Sequence, residues 1–79
     1  MAEAPDIDGR SWLAAFAADL GTTAPTDTEI DTLLDLAGVA AHDSERIAAP
    51  IACWLIGREG IDPEVALARA TAFVESRGS

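Results

Sequence analysis

The sequence predicts an all-α fold, a compact bundle of four helices formed by a single domain over residues 1–79. Two observations predict it: apolar residues recur at the three- and four-residue spacing of a helix, and capping residues stand where three of the four periodic stretches begin. A third is that no stretch alternates apolar with polar residues, as a half-buried strand would. The predicted helices cover residues 9–20, 27–42, 48–59 and 63–76.

The first predicted helix begins after Asp8, whose side chain can cap it, and ends at Gly21, which can adopt a left-handed conformation. At 100° per residue its large apolar side chains share one face, which we expect to be the inward face. These side chains are Trp12, Leu13, Phe16 and Leu20.

The second predicted helix opens with a capping box formed by Thr26 and Glu29. Two of its apolar residues, Leu36 and Val39, fall outside the inward stripe and are candidates for a second contact surface. The expected inward stripe consists of Ile30, Leu33, Leu34, Ala37, Ala40 and Ala41.

The third predicted helix is formed by the segment 47–57, which contains no charged or strongly polar side chain. Pro50 fits in its first turn, and Gly60 ends it. The segment is shorter than the roughly 20 residues of a membrane span, so we expect it to be buried by protein on every side. It forms the centre of the bundle, half of a subunit interface, or both, and Trp54 is the candidate interface residue.

The fourth predicted helix begins with Asp62 as its cap and Pro63 in its first position. We expect residues 77–79 to fray. The expected inner face consists of Ala66, Leu67, Ala70, Phe73 and Val74.

The charge of the chain bears on its partners and its compartment. The net charge is −9, with eight acids against Arg10 up to Asp35 and six acids against four arginines beyond it. Because this surface repels phosphate, we expect no nucleic-acid binding, and a basic protein surface is the natural complement. With one cysteine and no apolar leader at the N-terminus, we expect a cytoplasmic protein that does not associate with a membrane.

One concentrated polar cluster lies between the second and third helices. His42, Glu45 and Arg46 form a candidate ligand or partner site, in which Arg46 could grip a carboxylate or phosphate. In the structural alternative, His42 caps the second helix while Glu45 and Arg46 pair and fix the turn. A lone histidine with flexible carboxylates does not make a zinc or copper site, so we expect no metal and no cofactor.

The remaining reactive or charged residues have simpler explanations. Cys53 lies in the apolar segment, where burial keeps a thiol protonated and favours a core role over a redox role. The acid row Asp27, Asp31 and Asp35 is typical of a solvated helix face, with a docking strip for arginines as the alternative. Ser44 beside His42 lacks an orienting acid and an oxyanion hole, so we do not expect an enzyme.

Several segments resemble a small, uncharacterised helical domain family of actinobacteria that occurs alone or attached to molybdenum-cofactor guanylyltransferase-like proteins. The matching stretches are Trp12-Leu13, Leu20-Gly21, Leu34-Asp35-Leu36-Ala37, Ala41-His42, Glu45-Arg46, Ala48-Ala49-Pro50 and Leu55-x-Gly57. This chain departs at Ile47, where the family tends to have proline, and at Gly38 and Val39, where it tends to have a polar pair. The resemblance implies an association with molybdenum-cofactor maturation and carries over His42, Glu45 and Arg46 as the candidate site.

Three hypotheses for the function follow. The first is a non-catalytic accessory or interaction module linked to molybdenum-cofactor biosynthesis or molybdoenzyme maturation. The second is an acyl-carrier-like protein modified on Ser44, although Glu45 stands where carriers have an apolar residue. The third is a purely structural, self-associating bundle, which we expect to be a homodimer because symmetric dimers are the commonest closed assembly.

Overall fold

The computed structural model describes residues 8–78 and contains four α-helices in this range. They are α1 (Gly9–Leu20), α2 (Asp27–Asp43), α3 (Ala48–Glu59) and α4 (Pro63–Gly78). No strand occurs within residues 8–78. The predicted all-α four-helix bundle is therefore confirmed, with α2 one residue and α4 two residues longer than expected.

The starts of α1, α2 and α4 are capped by the predicted side chains, whereas the start of α3 has no side-chain cap. Asp8 accepts a hydrogen bond from the Ser11 amide at 2.7 Å, which lowers the pKa of Asp8. The capping box of α2 is complete, because Thr26 Oγ1 accepts from the Glu29 amide at 3.0 Å and Glu29 Oε1 accepts from the Thr26 amide at 2.8 Å. Asp62 accepts from the Glu64 amide at 3.0 Å and so begins α4. Each contact satisfies an amide that the helix itself leaves without a partner.

We expect Thr26→Ala to lower the free energy of unfolding by about 1 kcal/mol, since it removes the acceptor for the Glu29 amide. Thr28→Ala is the matched control, because Thr28 is exposed within the first turn of the same helix and is not its cap. Urea denaturation followed by circular dichroism measures both. Equal stabilities for the two variants would contradict a stabilising role for the box.

The helix ends at Gly21 and Gly60 are set by backbone conformation. Both glycines are left-handed, with φ of 78° and 68°. The Thr22 amide donates to the Ala17 carbonyl at 2.9 Å, and the Ile61 amide donates to the Ile56 carbonyl at 3.1 Å. These bonds satisfy carbonyls at the ends of α1 and α3, as the predicted stops require.

The core lies on α2, which packs closely against both α3 and α4. The prediction for Leu36 was wrong: it lies in the core, with 2% of its surface exposed, whereas Leu34, predicted to face inward, is 61% exposed. The physical reason is that α3 and α4 together cover a wider face of α2 than the single apolar stripe predicted from the sequence. Ile30 and Leu36, about 120° apart around the helix, are both buried.

The attachment of α1 is light, and neither of the two close helix pairs includes it. Its inward contacts are made by Ala17, which is buried, and Leu13, which is half-buried. The prediction that all of its large apolar residues face inward was therefore wrong. Three of them are exposed, and the rings of Trp12 and Phe16 contact each other with their centroids 5.0 Å apart. The exposed residues are Trp12, Phe16 and Leu20.

The position of α3 differs most from what the sequence predicted. None of its residues is buried, so the prediction that it is enclosed on every side was wrong for a single copy of the chain. It lies on the surface of α2, which covers one face only. The covered face carries small side chains except for Ile56, and these half-buried residues are Ala48, Ala49, Ala52, Cys53 and Ile56. The large apolar side chains lie on the opposite, exposed face.

Within residues 8–78, no helix combines the length and the hydropathy that a crossing of the bilayer requires.

Candidate protein-interaction surface

The predicted polar cluster lies at the junction of α2 and α3, at the surface. His42 is in the last turn of α2, while Glu45 and Arg46 lie in the turn that leads to α3. All three side chains are exposed. Over residues 8–78, no hydrogen bond or ion pair joins these three side chains to each other or to another group. The structure thus brings them into one region without linking them.

The turn between α2 and α3 is held by hydrogen bonds that the sequence did not predict. Ser44 Oγ donates to the Ala40 carbonyl at 2.8 Å, and the Ala48 amide donates to the Glu45 carbonyl at 2.9 Å. The structural alternative, in which Glu45 pairs with Arg46 to fix the turn, is therefore wrong. Among the described residues Arg46 forms no ion pair, which leaves its guanidinium available to a partner's carboxylate.

An ion pair joins the end of α4 to the end of α2 beside this cluster. Arg77 donates to Asp43 Oδ2 at 2.6 Å, and its guanidinium also lies 5.6 Å from the ring centre of Phe73. The helix α4 continues through Arg77 to Gly78, so its end lies two residues beyond the predicted one. Ser79, also expected to fray, lies outside the described residues.

Two adjoining open grooves run along this part of the surface. The first, of about 350 Å³, is lined by Val39, His42, Asp43, Thr71, Val74 and Glu75. The second, of about 430 Å³, extends from Val39 and Val74 towards Ala48, Ala52 and Phe73. Of the three predicted site residues, His42 alone lines either of these two grooves. Val39, predicted as an interface residue, lies half-buried where the two grooves meet.

The outward face of α3, together with Ile47 before it, forms what we call the α3 stripe: Ile47, Ile51, Trp54 and Leu55. Their exposure ranges from 41% at Leu55 to 72% at Ile47. Arg58 follows the stripe, with its guanidinium 4.7 Å from the Trp54 ring centre and its Nε 3.4 Å from Glu59. Trp54, predicted as an interface residue, is thus exposed as that role requires, while Leu36 is in the core and unavailable to a partner.

Two acids of the row on α2 form ion pairs with an arginine of the same chain. Arg10 of α1 contacts Asp27 at 3.1 Å and Asp31 at 2.6 Å, and these carboxylates raise the pKa of the guanidinium. The row therefore docks an arginine, as the alternative from the sequence held, but the arginine belongs to the same chain. These contacts tie α1 to the start of α2.

The chemistry of the remaining groups is modest. The Cys53 thiol lies 3.9 Å from the Leu33 carbonyl, and partial burial raises its pKa, so it remains protonated at neutral pH. Among residues 8–78, no three histidine, cysteine or carboxylate side chains come together as a metal site. Ser44, the attachment point in the carrier hypothesis, stands at the end of α2 with its hydroxyl bound to the backbone.

Sequence reasoning missed both long-range arginine contacts. The signal for the first was present, because Asp27 and Asp31 stand four residues apart on one helix face and can share one guanidinium. Which arginine they share depends on how α1 lies across α2. No pattern in the sequence links Arg77 to Asp43, which is 34 residues away.

Comparison with known proteins identifies a family without assigning an activity. The family described as a domain of unknown function, DUF6457, matches residues 5–78, so the chain belongs to this family. No curated protein and no solved structure matches the chain. The family description names no organism, cofactor or partner, and the association with molybdenum-cofactor proteins therefore rests on the resemblance of the quoted residues.

Proposed function

We propose that this member of the DUF6457 family is a non-catalytic accessory module that works by binding other proteins. The observation that carries the proposal is the arrangement of α3, which covers its small side chains and exposes its large ones. A helix folded only for its own chain would gain more by burying Trp54 and Ile51 than by burying alanines. Exposed apolar surface of this kind is typical of an interaction site.

The partner that we propose is a protein of molybdenum-cofactor biosynthesis or molybdoenzyme maturation. This part of the proposal is supported by the family resemblance of the residues around His42, Glu45 and Arg46. A basic surface on the partner would complement the net charge of −9 and would speed the encounter. Such a module would act in the cytoplasm, as the single cysteine predicts.

The partner site that we propose is the junction of α2 and α3 together with the α3 stripe and the first groove. The groove is lined by the apolar side chains of Val39 and Val74 and by His42. Arg46 adds a cation that no acid of the chain neutralises within residues 8–78. An apolar centre with a polar rim is the usual construction of a protein interface.

A pull-down from the native host with the tagged full chain tests the proposal. We expect the wild-type chain to recover at least one identified protein of molybdenum-cofactor biosynthesis or molybdoenzyme maturation. Arg46→Glu should recover about tenfold less of that protein, because a like charge placed against the partner's acid costs more than about 1.4 kcal/mol. Quantitative mass spectrometry of the eluates provides the measurement.

The matched control is Arg69→Glu, which changes the net charge equally at an exposed position of α4. It should recover the partner as the wild-type chain does. If the wild-type chain recovers no such protein, the proposed partner is wrong. If the two variants lose it equally, the effect is one of net charge and the proposed site is wrong.

A further inference from the structure

We draw no further inference here: the strongest candidate, the exposed apolar α3 stripe on the outward face of the third helix, already belongs to the proposed partner surface, and nothing in the structure shows what covers it.

Discussion

Leu36→Ala is expected to lower the free energy of unfolding by about 2–5 kcal/mol, the range for truncating a buried leucine to alanine. Leu36 is 2% exposed on α2, the helix against which both α3 and α4 pack. The truncation leaves a cavity where helices meet, and a closely packed core relaxes into such a cavity only in part. Urea denaturation at a fixed chain concentration measures the loss.

The control for this prediction lies two residues earlier on the same helix. Leu34→Ala removes the same atoms from a side chain that is 61% exposed, so its effect should be within about 0.5 kcal/mol of zero. A larger loss for Leu34→Ala than for Leu36→Ala would show that the core does not lie where α2 meets α3 and α4.

Ala66→Leu is expected to destabilise the fold by about 1–3 kcal/mol, because it forces extra methylene groups into a packed site. Ala66 is 1% exposed at the start of α4, which packs on α2. A bulkier side chain there must push the two helices apart. Thermal unfolding followed by circular dichroism measures the change.

Ala68→Leu makes the same substitution two residues further along α4, at an exposed position. Since leucine and alanine are both good helix formers, it should change the stability by less than about 0.5 kcal/mol. Should Ala66→Leu prove as stable as this control, the contact between α4 and α2 would have to be looser than the burial of Ala66 indicates.

The sequence predicted the helices well because their ends are encoded locally. Thr26 and Glu29 satisfy each other's amides within one turn, and Gly21 can adopt its positive φ without help from the rest of the chain. Such signals need no knowledge of the neighbouring helices.

The packing was harder to predict, because periodicity locates an apolar face without saying what covers it. Trp12 and Phe16 were expected inside and lie outside, and the α3 segment was expected to be covered on every side and is covered on one, since α1 and α3 contact the rest of the chain through smaller residues. Leu36 shows the opposite error, because two helices cover α2 and bury residues outside the single inward stripe that was predicted. Both errors arise from tertiary contacts that no single helix encodes.

The candidate site was predicted in its location and not in its contacts. His42, Glu45 and Arg46 do lie together at the α2–α3 junction, as neighbours in sequence must. The pairing of Asp43 with Arg77 depends on α4 returning to the end of α2, which no local pattern encodes.

The light attachment of α1 has a consequence for the order in which the fold comes apart. Releasing α1 breaks two solvent-exposed ion pairs from Arg10 and uncovers little beyond Ala17 and Leu13, and exposed ion pairs contribute little to stability. Releasing α2 would dismantle the whole core. The N-terminal helix is thus the least protected of the four, able to detach while the other three helices stay folded.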